Sequence, residues 1–203
     1  MNEISDPLSL RTYYGAVSSL AERKVLDRLD HHSRAFIALS PFVVLATADT
    51  EGHCDASPRG DAPGFVRVLD ETRLLLPDRP GNNRVDSYSN VFASGGVGLL
   101  FFVPGIDETL RVNGTARLLT DPDLLALSAV NGKLPRAGLE ISVKEVFFHC
   151  GKALKRAQLW NAERHAPRQS FPSLGRVIAE QTGVCTVKEG EEAVRQSYRD
   201  GLY

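Results

Sequence analysis

After Pro41 the texture of the chain changes abruptly. The β-branched apolar run Phe42-Val43-Val44-Leu45-Ala46-Thr47 ends in the turn Asp49-Thr50-Glu51-Gly52, and residues 54–59 read as the return strand of a hairpin. Short runs of the same kind recur up to His149. Residues 65–69 and 73–76 are joined at Asp70-Glu71-Thr72, and 97–103 is apolar on both faces and so predicted to be central. In 109–119, Thr109, Arg111 and Asn113 alternate with Leu110 and Val112; in 139–149 the alternation runs through Ile141 and Val143 towards Glu145. The helices between these runs are short. One follows the Pro80-Gly81-Asn82-Asn83 turn to about Ser89, and others are expected over 122–130, 151–159 and 173–182. A doubly wound sheet needs strands alternating regularly with long helices, which this spacing denies. The pattern predicts an antiparallel β-barrel with helical additions, of α+β class.

Residues 5–40 read as helical, with a second helix capped by Asp30 and stopped at Pro41. This divides the chain into a helical segment, 1–40, packed on the barrel, a barrel domain, 41–165, and a helical extension, 166–203. The tail after Lys188 is charged and expected to be peripheral.

Charge and cysteine content narrow the function. Twenty-four basic against 25 acidic residues give a formal net charge of -1, with no general field for a nucleic-acid backbone. Cys54, Cys150 and Cys185 are too few and too scattered for a disulfide framework or a metal knuckle, which fits a reducing, cytoplasmic setting. The first residues lack the basic start and apolar run of a signal peptide, and no apolar stretch approaches the roughly 20 residues that span a bilayer. Gly132-Lys133 and Gly151-Lys152 lack the upstream glycine of a phosphate-binding loop, and there is no HExxH or GxSxG. The adjacent His31 and His32 read as a solvated helix face.

Four polar clusters remain at strand ends and turns. They are Ser57-Pro58-Arg59-Gly60-Asp61, where Pro58 marks an edge strand; the 76–84 segment, whose amides at a helix start suit an anion; the Thr109-Arg111-Asn113 face; and His149-Cys150-Gly151-Lys152 with Lys155 and Arg156. Each has a plain structural reading as turn chemistry, surface ion pairs or a helix end, and Cys150 defaults to a buried, inert thiol. Together, several arginines and turn amides on a small barrel match the needs of a phosphorylated ring ligand.

The run SPRGDAPGFVRVLDETRLLLPDRPGNNRVDSYSN, then ETLRVNGTARL, then VFFHCGKALKRAQLW, resembles the pyridoxamine 5'-phosphate oxidase-like family, and within it the FMN-binding branch. The resemblance covers residues 40–161 and rests on the ordered combination. It implies an FMN-binding split β-barrel that forms a homodimer with FMN at the subunit interface. By the same resemblance, Ser57 and Arg59 lie beside the flavin and its phosphate, and Pro77 and Asp78 give backbone contacts. Asn82 and Asn83 replace the usual basic phosphate ligands, with Arg84 or Arg79 restoring the charge. Thr109 and Arg111 lie near a polar flavin contact, His149 packs on the ring from the partner subunit, and Lys152 and Arg156 reach FMN or substrate. The chain lacks the late Arg-x-His pair and the Arg-Leu-x-Pro-like ending of vitamin B6 oxidases. The reading is therefore an FMN-dependent oxidoreductase of a small organic substrate. The alternatives are a flavin carrier, sensor or electron store without turnover, or the same barrel holding haem or deazaflavin. Trp160 is expected to close the dimer or cap the barrel.

Overall fold

The computed structural model describes residues 4–202. Seven strands, β1 Phe42–Ala48, β2 Cys54–Gly60, β3 Arg67–Val68, β4 Arg73–Pro77, β5 Gly96–Val103, β6 Ile106–Leu119 and β7 Gly138–His149, form one sheet in the order β2-β1-β5-β6-β7-β4-β3. Every pairing is antiparallel. The sheet curls but does not close: β2 and β3 stand at its two ends, which makes the barrel a split one. Pro58 sits on the edge strand β2, where its missing N–H costs no ladder bond.

Cross-strand partners share a face of a sheet, and here the pattern of burial follows that rule. Val43 and Leu45 of β1, Leu99 and Phe101 of β5, Leu110 and Val112 of β6 and Leu139 and Ile141 of β7 are all buried on the inner face. Each such side chain contributes about 1.5–3 kcal/mol on leaving water. β5 was expected to be apolar and enclosed on both faces. It is central, but only Val97, Leu99, Phe101 and Val103 are buried; Leu100 and Phe102 on the other face are half-exposed.

β7 departs from simple alternation. A register shift lets Asn113 pair with Glu145 while Gly114 pairs with Val143, so Lys144 is an extra residue, a β-bulge. The inward set switches from Leu139, Ile141 and Val143 to Val146. Glu145 therefore does not continue the buried series; it turns outward and accepts a hydrogen bond from Asn113 Nδ2 at 2.8 Å.

The helical first 40 residues resolve into three pieces, α1 Pro7–Tyr14, α2 Ser19–Arg23 and α3 His31–Leu39. Only α3 buries residues, Ser33, Phe36 and Ile37, and Asp30 caps it by accepting from the Ser33 amide at 2.8 Å. Between α2 and α3 the chain is not helical: Leu26 bridges to Val146, and Leu29 is buried in the core. Beyond β4, α4 Asp86–Ser94 starts later and runs further than the sequence suggests, lying across β1, β2 and β6. α5 Pro122–Ala126 is shorter than expected, and α6 Lys152–Ala157 follows β7.

The charged tail is not a loose end. Val187–Gly201 forms α8, opened by a Thr186–Glu189 capping box, and it packs on α7 Leu174–Thr182. Gly175 and Gly190 meet at the crossing so closely that a Cβ on Gly175 would overlap the backbone of Gly190 and Glu191. No helix among the described residues is long and apolar enough to cross a membrane.

Candidate functional site

A cleft of about 470 Å³ opens between β2, the 78–85 loop, the start of α4 and the 130–136 loop. Asp55, Ser57 and Arg59 reach it from β2. Strand alternation puts these three on one face, and their partners Thr47, Leu45 and Val43 point into the core, so this face looks inward under α4.

A polar network forms the floor of the cleft. Ser57 Oγ donates to the Asp55 carboxylate at 3.0 Å, Ser87 Oγ donates to the same group at 2.5 Å, and Arg59 Nη2 donates to Ser87 Oγ at 3.1 Å. Arg59 Nη1 lies 3.9 Å from Asp78, and its guanidinium packs 5.6 Å from the Tyr88 ring. Tyr88 Oη donates to Asp78 at 2.5 Å. Burial, and then this bond to Asp78, push the Tyr88 phenol well above its ordinary value, so it remains a donor at physiological pH. Arg59 Nε is buried and has no hydrogen-bond partner among the described residues. An unpaired buried donor of this strength costs on the order of 1–3 kcal/mol or more.

The 78–85 loop supplies the rim. Asn82 Oδ1 accepts from the Arg84 amide at 3.1 Å, while Asn83 and Val85 take left-handed conformations, with φ of 59° and 54°. A β-branched residue is strained there, by about 1–3 kcal/mol. Val85 is also the N-cap of α4, and no side chain among the described residues caps this helix. The Tyr88 and Ser89 amides donate to Val85 O, which leaves the Asp86 and Ser87 amides, both in residues lining the cleft, unclaimed by a capping side chain.

Ser57, Arg59, Asp78, Asn82, Asn83 and Arg84 of the sequence-predicted set thus line one cleft. Pro77 ends β4 just outside it, paired with Gly138, and the Asp78 amide is already committed to Ala137 O at 2.9 Å. Arg79 is not a free cation. Its Nε donates to Asp61 at 2.6 Å and its Nη1 to Ser128 O at 2.9 Å, a strut that fixes the loop. Arg84 is exposed and pairs with Asp86 at 2.8 Å.

The remaining predicted residues lie elsewhere. Thr109 pairs with His149 and Arg111 with Phe147, in the row Val44–Leu100–Arg111–Phe147 across the outer face of the sheet. Arg111 sits 5.2 Å from the Phe147 ring, which also contacts His149 at 4.9 Å. Burial, then Arg111 and Lys24, lower the His149 pKa, so the imidazole is neutral at pH 7. Lys152 and Arg156 follow on α6, with Arg156 Nε donating to Lys152 O at 3.0 Å. The cleft lies beside the Gly138 end of β7 and the outer set at its His149 end, and the two occupy opposite faces of the sheet: Arg111 stands in the row of Pro58, three strands or roughly 15 Å across, whereas Ser57 and Arg59 face inward. Within one chain the two sets therefore face opposite sides of the sheet.

Cys150 is not buried. It is exposed, and the Lys152 amide, with Lys152 and Lys24 nearby, lowers its thiol pKa. Trp160 caps the sheet end by donating Nε1–H to Ile106 O at 2.9 Å.

Sequence reasoning missed Asp55, Ser87, Tyr88, Lys133 and Arg136, all in the cleft lining. Asp55 was readable, since it shares the strand face of Ser57 and Arg59. Lys133 and Arg136 carry no local signal. They arrive on the loop before β7, and neither makes an ion pair among the described residues.

The profile of the pyridoxamine 5'-phosphate oxidase family matches residues 29–150. The chain belongs to this family. The match begins at the buried Leu29 and ends just after β7, so α3 and the whole sheet fall within it. No curated protein matches the chain. Solved structures similar to it include HupZ of Group A Streptococcus, 17% identical over 59% of this chain and 93% of that one, with a TM-score of 0.48. A putative pyridoxamine 5'-phosphate oxidase of Lactobacillus delbrueckii is 24% identical over 60% and 95%, with a TM-score of 0.47. The FAD binding protein of Mycobacterium smegmatis is 13% identical over 61% and 97%, with a TM-score of 0.42.

Proposed function

We propose that this member of the family binds FMN in the β2–α4 cleft of a homodimer and acts as an FMN-dependent oxidoreductase on a small organic substrate. The observation that carries the reading is Arg59. It is a guanidinium held by Ser87, Asp78 and Tyr88, with a buried Nε that no described residue satisfies, in a cleft whose helix start has no side-chain cap among the described residues. A phosphate dianion accepts charge-assisted hydrogen bonds from such a donor set. The cleft lining holds Arg59, Arg79, Arg84, Lys133 and Arg136 against Asp55, Asp78 and Asp86, a net positive wall even with Arg79 spent on Asp61.

When bound, FMN supplies hydride or electron-pair exchange at its N5, and the protein supplies placement and electrostatics. Arg59 would hold the phosphate, and Lys133, Arg136 and Arg84 in the same lining would add positive charge to it. Asp55, Ser57 and Ser87 hold Arg59 in its rotamer. Thr109, Arg111, His149, Lys152 and Arg156 would join the same site through the second copy, where Arg111 or Lys152 would stabilise negative charge on the flavin. The outer face supports this assembly. Phe42, Val44, Leu100 and Phe102 form a half-exposed apolar band that a second copy would cover, bringing the Arg111 row along with it. The three free thiols accord with a cytoplasmic setting.

The test is a titration of apo-protein with FMN, followed by flavin fluorescence, for wild type and Arg59→Ala. The reading expects saturable one-per-chain binding that the substitution weakens by about 100-fold or more, as the loss of charge-assisted bonds worth ~1.5–3 kcal/mol each implies. Equal affinity in the two proteins would overturn the placement. Anaerobic reduction of the bound flavin by NADH or NADPH would then separate an enzyme from a carrier.

A further inference from the structure

The start of α3 carries a second cluster that the flavin reading does not use. Asp30, His31 and His32 place one carboxylate oxygen and two imidazole nitrogens within 4.8 Å of one another. Successive residues of a helix diverge by about 100°, yet the His31 and His32 rings lie with centroids only 3.7 Å apart, tilted by 40°. Both imidazoles are therefore turned to the same side as the Asp30 carboxylate.

The cluster is anchored at one corner. Asp30 Oδ1 accepts from the Ser33 amide at 2.8 Å and from Ser33 Oγ at 2.7 Å, which fixes the carboxylate and leaves Oδ2 outside those bonds. Neither imidazole makes a hydrogen bond or ion pair among the described residues, so ligation would break neither kind of bond. Asp30 and His32 also border a separate cleft of about 270 Å³, lined with Lys24, Ser33, Phe147 and Phe148. An ion held by the three ligands would turn its open positions towards that space.

We propose that Asp30, His31 and His32 form a binding site for a borderline divalent first-row ion, Zn²⁺ or Co²⁺ in type. Two imidazoles and one carboxylate are a ligand set such ions accept, with water completing the shell. Nitrogen and oxygen ligands about 2.0–2.2 Å from zinc stand some 3.4 Å apart in a tetrahedron, so the 4.8 Å spread closes by small side-chain rotations. Hard ions such as Mg²⁺ prefer all-oxygen shells and are excluded. The positive end of the α3 dipole opposes a cation by about 0.3–1 kcal/mol. The Asp30 carboxylate counters it directly, because it already accepts from a first-turn amide.

The experiment uses full-length, tag-free protein stripped with chelator, titrated with Co²⁺ and followed by visible absorbance, then with Zn²⁺ in competition. The expected result is one Co²⁺ per chain with d–d bands, displaced by Zn²⁺ and unaffected by Mg²⁺. His31→Ala and His32→Ala should each weaken binding by at least about tenfold, since even outer-shell changes at metal sites cost 10–100-fold. His165→Ala, outside the cluster, should not change it. All three positions are exposed, and far-UV circular dichroism checks that the variants fold. Absence of saturable binding, or unchanged binding in a His31→Ala/His32→Ala double variant, would overturn the site. Flavin loading does not enter the measurement, so its outcome is independent of the function proposed above.

Discussion

The two ends of β7 handle charge in different ways. At the Gly138 end, the cleft locks its central cation into a network: Arg59 is held by Ser87, Asp78 and the Tyr88 ring, and Asp55 braces the serines. At the His149 end, Arg111 lies against Phe147 with no carboxylate partner among the described residues, and Lys152 projects from the first turn of a six-residue helix. One end is preorganised within the chain. The other is a set of cations and one neutral imidazole on a half-exposed face of the sheet. A binding site whose geometry matters needs its donors held by neighbours. The cleft meets that condition alone, and the outer set meets it only against a second surface.

This contrast sets the order of the expected effects. Arg59→Ala strikes the organised end and should lower FMN affinity most, by about 100-fold or more, measured by fluorescence titration. Arg111→Ala should cost about tenfold, the scale of one cation lost from a partly exposed site. That loss should appear only at protein concentrations where sedimentation shows a dimer. A loss as large as that of Arg59→Ala in a monomer would break the comparison, since the two ends would then serve one chain.

Smaller effects sharpen it. Val85→Gly removes a β-branched residue from a left-handed conformation at the cleft rim and should raise unfolding stability by about 1 kcal/mol in urea denaturation. A loss of stability would mean that the Val85 side chain contributes more than its strain costs. The weakest effect is electrostatic and remote from both ends. Asp70 accepts from the Thr72 amide and from Arg73, which hold its carboxyl down at about 2 instead of 3.8. The sign follows from the depressed value. Its contribution to stability is present above pH 3.8 and is lost as pH falls towards about 2. A carboxyl-carbon NMR titration of Asp70 with a midpoint near 3.8 would contradict this.

Much of the fold was readable because it is written in local alternation. The β1–β2 hairpin, the Asp70-Glu71-Thr72 turn and the Asp30 cap were all visible in the sequence, since strand period, turn chemistry and cap chemistry act over a few residues. Three features were not. The Lys144 bulge depends on how β6 and β7 pair, which the sequence of neither strand reveals. The late start of α4 depends on Val85 tolerating a conformation that its residue type disfavours. The helical extension was read, but the packing of α8 on α7 was not, because it depends on Gly175 and Gly190 meeting, and either glycine alone reads as a helix breaker. The candidate site divides in the same way. The Ser57–Arg59 face and the Asn82–Arg84 turn were legible as local chemistry. Lys133 and Arg136 enter the cleft from a loop some fifty residues away along the chain.

The most direct test of the central claim, that the cleft is a flavin phosphate site, is the visible absorbance of freshly purified protein, repeated on the supernatant after acid precipitation. The account expects two yellow flavin bands, and a released chromophore that runs as FMN. A colourless protein that takes up no added FMN would contradict it, and so would a Soret band in place of the flavin spectrum.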